Sequence, residues 1–328
     1  MNVLDKEKWD LLFPAVENPH ILQSYEWGEL KSHFGWEPWR LEHNGIVFQI
    51  LMKKLPFGLK IAYIPKINLD LDNAELWLEI DKFCQARHVI FLKIEPDRFS
   101  EQKNKNVVSP GFIPGKPIQP GNTIIVDLAG NEDYWLERMK PKTRYNIRLA
   151  KKKEIFVEIS NDVNTFFELI KETGKRDNFG VHTKEYYQLA YDLFTKKNQV
   201  ALLIAKYKQT PLAGLMVFRQ GNRSWYFYGA SNNQERNRMP TYLIQFEALR
   251  WAKSQGCETY DLWGIPDEDE QILERDFEQK SEGLWGVYRF KRGFGGEVKR
   301  SAAALDRIYN PFLYRLIGIY QKYRGSLT

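Results

Sequence analysis

The densest charge in the chain is the run Lys140-Pro-Lys-Thr-Arg-Tyr-Asn-Ile-Arg-Leu-Ala-Lys-Lys-Lys153, where no carboxylate interrupts the cations. Such side chains contact phosphate oxygens in a salt-sensitive way, and the run carries no base-reading motif. A solvated helix face is the plain alternative. Arg236 and Arg238 form a second cationic pair in Asn232-Asn-Gln-Glu-Arg-Asn-Arg-Met-Pro-Thr241, ahead of a helix. Backbone N–H groups at a helix N-terminus hold a pyrophosphate when glycine lets the backbone approach. This stretch lacks glycine, which argues against coenzyme A as a donor without excluding it. His20, His33, His43, His88 and His182 show no ligand spacing, and Cys84 and Cys257 stand alone, so no metal and no redox cofactor is expected. No Gly-x-Ser-x-Gly elbow, Walker loop or dinucleotide loop occurs. Without a nucleophile motif, direct transfer between two bound substrates is favoured over a covalent intermediate.

These residues need elements to hold them. In the first half, 27–34 reads as a short amphipathic helix ended by Gly35. Residues 45–52 and 59–64 are β-rich runs parted by Pro56-Phe-Gly58. A helix over 73–87 leads into a strand at 89–94. A loop at 109–121, a strand at 123–127 and a helix at 132–139 precede the basic run. The same grammar then restarts: a strand at 156–159, helices at 162–173 and 184–196, and a meander of strands at 200–205, 212–218 and 224–228. A helix at 241–255 and a strand at 259–263 close it. The repetition indicates a duplicated α/β unit of acetyltransferase type, with the boundary close to Arg148. A final amphipathic helix is expected over 306–323, packed on the first domain or lying on a membrane surface.

Composition sets the outer limits. The 328 residues, 43% hydrophobic and 27% charged, suit two globular domains. A net charge of +6 favours polyanionic partners. The 10 Trp and 17 Tyr serve either core packing or a groove that stacks on bases or sugars. Two isolated cysteines read as reduced thiols. No apolar leader and no transmembrane stretch is visible, so a cytoplasmic protein that meets membranes only from the water side is expected.

Five segments, Leu22-Gln-Ser-x-x-Trp27-x-x-x-Lys31, Phe91-Leu-Lys-Ile-Glu-Pro96, Lys142-Thr-Arg-Tyr-Asn-Ile-Arg-Leu-Ala150, Tyr260-Asp-Leu-Trp-Gly264 and Tyr288-Arg-Phe-Lys-Arg-Gly-Phe294, occur in a telling order. Together they resemble the Fem (FemABX) family of aminoacyl-tRNA-dependent transferases, which build peptidoglycan interpeptide bridges. The resemblance covers nearly the whole chain. It is similar to the compact branch, because no long coiled-coil insertion occurs. It implies an α/β (α+β) fold of two tandem acetyltransferase (GNAT)-like domains with a cleft between them. Domain 1, residues 1–147 with a C-terminal helix at 303–328, would bind the acceptor. Domain 2, residues 148–302, would bind aminoacyl-tRNA and catalyse.

The resemblance also implies roles for residues. Lys31 matches the family's phosphate-contacting lysine. Phe290-Lys291 matches its functional Phe-Lys pair, with Lys291 stabilising the oxyanion of the tetrahedral intermediate. Glu95 replaces the acidic residue of a strand-end Asp-Pro, either to orient or deprotonate the attacking amine or to serve as a structural carboxylate. Tyr187 and Tyr228 fit acceptor-site tyrosines. An acceptor-binding arginine is missing from Val181-His-Thr-Lys184; either His182 or Lys184 would replace it, or the acceptor would lack the usual diphosphate contact. Lys140, Lys142, Arg144 and Arg148 would meet the tRNA acceptor arm. The expected reaction moves an amino acid from aminoacyl-tRNA to an amine of a muropeptide precursor, either UDP-linked or lipid-linked. Two rivals stay open: an N-acyltransferase using acyl-CoA or an acyl carrier, and a non-catalytic RNA- or membrane-surface-binding protein.

Overall fold

The computed structural model describes residues 1–100, 109–177 and 179–324, with side chains as far as residue 319. Two compact units make up the chain, Met1–Gly121 with Arg300–Thr328, and Asn122–Lys299. The last residues of the expected C-terminal helix, 325–328, lie outside the described residues. Among the described residues no helix is long and apolar enough to cross a membrane.

The first unit opens with β1 (Asn2–Val3), α1 (Lys6–Leu12) and α2 (Tyr25–Ser32). A meander follows, β2 (Trp36–His43), β3 (Ile46–Lys54) and β4 (Lys60–Ile67), with antiparallel pairing throughout. α3 (Ala74–Gln85) then crosses over to β5 (Val89–Pro96), which lies parallel to β4. Asn73 starts α3 by accepting the amide N–H of Leu76, and Leu76, Trp77, Ile80 and Cys84 form its buried stripe. That stripe covers Phe48, Ile50, Ile64 and Leu92 of the sheet. β2 has no counterpart in the sequence reading. Its Glu37, Pro38, Arg40 and Glu42 break the hydrophobic alternation, and pairing with the apolar β3 supplies the order. β6 (Ile113–Pro114) is a two-residue strand.

The second unit begins with β7 (Asn122–Asp127), α4 (Glu132–Arg138) and the basic α5 (Pro141–Lys152). β8 (Ile155–Ser160), α6 (Val163–Asp177) and α7 (Lys184–Thr195) lead to a second meander, β9 (Val200–Tyr207), β10 (Thr210–Gln220) and β11 (Arg223–Ser231). α8 (Pro240–Ser254) crosses over to β12 (Thr259–Asp261), parallel to β11. Two short helices, α9 (Glu270–Asp276) and α10 (Trp285–Lys291), and β13 (Glu297–Arg300) complete it. The sheet order is β13-β7-β12-β11-β10-β9-β8. The antiparallel meander, crossover helix and parallel strand of an acetyltransferase-like fold thus occur in each unit.

Two boundaries differ from the sequence reading. The second unit starts at Asn122, not near Arg148, because β7 pairs with β12 through Asp127↔Thr259, Val126↔Tyr260 and Ile125↔Asp261. Residues 300–302 belong to the first unit, where Arg300 O accepts from Ser100 N at 2.8 Å and Ala302 N donates to Arg98 O at 2.8 Å. The chain then returns as β14 (Leu305–Ile308), which inserts between β5 and β6. The expected helix from 306 is therefore a strand at first; α11 (Pro311–Arg324) begins only at the proline. Tyr314 of α11 sets its ring on Phe91 at 5.1 Å and donates to Asp306 at 2.8 Å.

Candidate active site

Lys291 ends α10, and only 5% of it is exposed. Its neighbours explain why it faces inward. Arg292 pairs with Glu274 of α9, and Tyr288 donates to the same carboxylate at 2.6 Å. Arg289 donates to the carbonyls of Phe277, Glu278 and Lys280. Phe290 packs on Tyr242 and Phe294 at 5.1 Å each. With those side chains anchoring α10, the ammonium of Lys291 enters the unit and donates to Trp263 O at 3.0 Å and Gly264 O at 2.9 Å. It also lies 5.4 Å from the ring centre of Tyr226.

The carbonyls that hold it come from a turn just past β12. Trp263 sits at φ +58, a left-handed conformation that costs an L-residue about 1–2 kcal/mol. Asp261 holds that turn, accepting Trp263 N at 2.7 Å and the Thr123 hydroxyl on the same Oδ1. Burial pushes the Lys291 ammonium down to about 7, while the charge of Asp261 opposes the change. A buried cation, fixed by two dipoles and with one N–H still to give, is suited to meeting negative charge that develops beside it. The sequence pointed to Lys291 through its motif. Tyr226, Thr123 and the two carbonyls were not foreseen, and Asp261 entered only as part of a motif.

His182, Tyr187 and Tyr228 do come together. The His182 imidazole stacks on Tyr186, with centroids 3.8 Å apart and planes at 17°, and stands edge-on to Tyr187 and Tyr228 at 6.0 and 6.3 Å. The hydroxyls of Tyr186 and Tyr228 are 3.1 Å apart, and Tyr187 Oη accepts His182 N at 3.3 Å. Burial raises all three phenols above their ordinary range, so they remain neutral donors. Tyr186 was not foreseen; the Thr183 cap, which accepts its N–H, fixes the phase of α7 and sets Tyr186 below the imidazole.

A bulge in β11 separates this cluster from Lys291. Tyr226 pairs with Val217 and Tyr228 with Met216, leaving Phe227 as the extra residue. Val217 and Met216 face opposite sides of the sheet, so Tyr226 and Tyr228 do too. Strict alternation would have put both tyrosines on one face. Phe227 packs against Trp263 at 4.7 Å.

In the first unit, Lys31 stands one turn after Trp27 on α2, its Nζ 5.0 Å over the indole. Gly28 allows α2 this close to the sheet, since a Cβ there would meet Gln49 Oε1 at 2.1 Å. Burial, and then the charge of Lys53, lower the Lys31 ammonium to about 8. Lys53 of β3, paired with Trp36, sits 5.4 Å over that ring and is itself lowered by burial. Two half-buried ammonium groups thus stand on indoles in the first unit, and Lys53 was not foreseen. Glu95 is 3% exposed and fully engaged: Tyr63 donates to Oε2, and the amides of Ile118 and Gln119 donate to Oε1. This geometry favours the structural alternative for Glu95, a latch that pins 118–119 to β5.

The basic run forms α5, whose buried stripe is Thr143, Asn146, Ile147 and Ala150. Lys140, Lys142 and Arg148 are exposed. Arg144 is the exception: its guanidinium donates to the carbonyls of Leu136, Glu137 and Met139 at 3.2, 3.2 and 2.6 Å, capping α4. It is thereby spent on the fold. The end of α5 joins the loop before α8, where Lys153 donates to Asn237 O at 2.9 Å and Arg238 to Lys153 O at 2.9 Å. Arg238 also pairs with Glu235, whereas Arg236 is exposed beside this surface.

Comparison with known proteins sets these features in a lineage. The chain is 25% identical over 409 residues to "Lipid II:glycine glycyltransferase" of Staphylococcus haemolyticus, spanning 97% of this chain and 94% of the relative. That alignment is longer than the 328 residues here, so the relative carries sequence with no counterpart in this chain. The crystal structure of FemX superposes with a TM-score of 0.82 at 23% identity, covering 96% of this chain and 98% of that one. The C-terminal domain of a putative lysylphosphatidylglycerol synthetase from Agrobacterium fabrum shares the fold at a TM-score of 0.61 and 10% identity, with 98% of both chains covered. The FemAB family model matches residues 113–208 and 196–322, more than half of the sequence, and the chain belongs to the FemAB family.

Proposed function

We propose that this protein transfers an amino acid from aminoacyl-tRNA to a primary amine of a peptidoglycan precursor, the step that forms an interpeptide bridge. The observation that carries the reading is the buried Lys291 ammonium, held by the Trp263 and Gly264 carbonyls in a chain of the FemAB family. The amine nitrogen attacks the ester carbonyl, and negative charge collects on its oxygen. Lys291 stabilises that charge. The C–O bond to the ribose then breaks, the amide remains, the amine gives up a proton and the ribose oxygen takes one. Phe290 anchors α10 and so keeps Lys291 in place. Binding both substrates in one geometry supplies a large part of the acceleration.

In the first unit, Lys31 with Lys53 takes the precursor's phosphates. Glu95 supports that unit from within and is not assigned the amine's proton. Lys140, just before α5, and Lys142 and Arg148 on it are exposed and suit the phosphates of the tRNA acceptor arm. His182 over its tyrosines, with Tyr187 and Tyr228 as supports, suits the acceptor in place of the missing arginine. The protein works in the cytoplasm. Phe312, Leu316 and Ile319, exposed along α11, suit peripheral contact with the membrane that carries a lipid-linked acceptor.

Purified protein incubated with a panel of charged tRNAs, and separately with acyl-CoA donors, tests the reading against UDP-linked and lipid-linked precursors. Transfer from one charged tRNA, sharply reduced in Lys291→Met, is expected. Transfer from acyl-CoA alone would overturn it.

A further inference from the structure

Asp261 is buried (6% exposed) at the end of β12, two residues before the first carbonyl that holds Lys291. Its Oδ1 accepts both Trp263 N and the Thr123 hydroxyl. The first bond closes a turn over residues 261–263, and the second ties that turn to β7. Trp263 is thereby kept at φ +58, the conformation in which its carbonyl and that of Gly264 both receive the ammonium of Lys291. Burying a carboxylate here is costly unless hydrogen bonds and a nearby cation compensate it.

We propose that Asp261 is a positioning residue for the transfer: it shapes the turn that seats Lys291, and its negative charge favours the ammonium form that meets the developing oxyanion. The inference rests on the reading of Lys291 given above. Other groups facing Lys291 do not supply that charge. Tyr226 of β11 is a phenol pushed up to about 12 by burial. Tyr260 of β12 is raised well beyond its ordinary range by burial and takes the Gln245 amide N–H at 2.7 Å. On α10 and just after it, Arg289 is engaged with backbone carbonyls and Arg292 with Glu274. Asp261 is the group whose charge opposes the lowering of Lys291 by burial.

Asp261→Asn isolates the charge, because the amide retains an Oδ1 for both hydrogen bonds. Rates are measured from pH 6 to 9 for the wild type, Asp261→Asn, Thr123→Val and Lys291→Met. The ratio of Asp261→Asn to wild-type rate is expected to fall about fivefold between pH 6 and pH 8, as the alkaline limb moves down by about one pH unit. Thr123→Val loosens the turn but keeps the charge; it is expected to lower the rate and leave the limb in place.

A titration independent of activity follows the Lys291 side-chain resonance in protein labelled with [13C]lysine, assigned by its absence in Lys291→Met. Its midpoint is expected to drop in Asp261→Asn and to stay in Thr123→Val. Equal midpoints in wild type and Asp261→Asn, or an equal drop in both variants, would overturn the role of the charge. If Lys291→Met transferred at the wild-type rate, the reaction proposed above would fail, while the resonance midpoints would still decide the link between Asp261 and Lys291.

Discussion

Lys291→Met is the sharpest test of the chemistry. Methionine keeps most of the buried stem and removes the charge together with the two bonds to Trp263 O and Gly264 O. Losing one preorganised donor at an oxyanion costs about 10²–10³ in kcat, or about 2.7–4 kcal/mol. The pH dependence adds a second signature. The acceptor amine must be neutral to attack, so every version of the enzyme should gain rate as pH rises. In the wild type Lys291 loses its proton around pH 7, and by pH 8 only about a tenth would still carry it. A falling limb therefore opposes the rising one. In Lys291→Met the falling limb has no source, and the residual rate should climb throughout. Single-turnover transfer from pre-charged tRNA to excess precursor, corrected for ester hydrolysis without acceptor, reads both effects. A Met variant within about threefold of wild type at pH 7, or one with the same falling limb, would refute the assignment.

Other outcomes follow from the geometry. An anion placed at Lys31 favours its charged form, so binding of a phosphate-bearing precursor near pH 8 should take up protons, measurable by calorimetry in buffers of different ionisation enthalpy and absent in Lys31→Met. Arg144→Ala should cost about 1–3 kcal/mol of stability by stranding the carbonyls that end α4, with tRNA affinity little changed, whereas Arg148→Glu should do the reverse in melting and filter-binding assays. Raising salt from about 0.05 to 0.2 M should weaken tRNA affinity several-fold or more; indifference to salt would remove α5 as the contact surface. Lys291 carries its proton less readily in the folded chain (about 7) than an exposed lysine does (10.5). The penalty for burying its charge is complete below pH 7 and fades as pH rises toward 10.5, so denaturant titrations should show stability rising with pH across that window, less steeply in Lys291→Met.

Local chemistry made most of the fold legible. The second meander read as strands because β9 and β10 are nearly continuous apolar runs, and the turns that part its strands place Lys208 and Gly221 at positive φ. What stayed hidden depended on distant pairing. Residues 122–127 look like the end of the first half until Thr259 pairs with Asp127, and 305–308 look helical until Leu305 finds Ile94. The site divides in the same way. Lys291, His182, Tyr187 and Tyr228 could be named from motifs. Tyr186 and Lys53 carried no motif, and only helix phase and cross-strand pairing place them beside His182 and Trp36. Arg144 looked like its basic neighbours, yet three carbonyls had already claimed it. The bulge at Phe227, which sends two nearby tyrosines to opposite faces, leaves no trace in composition.

The insertion of β14 between β5 and β6 has a consequence for biosynthesis. The second unit is one uninterrupted stretch of chain, while the first lacks an interior strand until residues 305–308 have left the ribosome. Until then β5 offers an unpaired edge, a template for pairing with other chains. The half of the molecule made first is therefore finished last, and a nascent chain stalled before residue 305 exposes an adhesive border that the complete protein conceals.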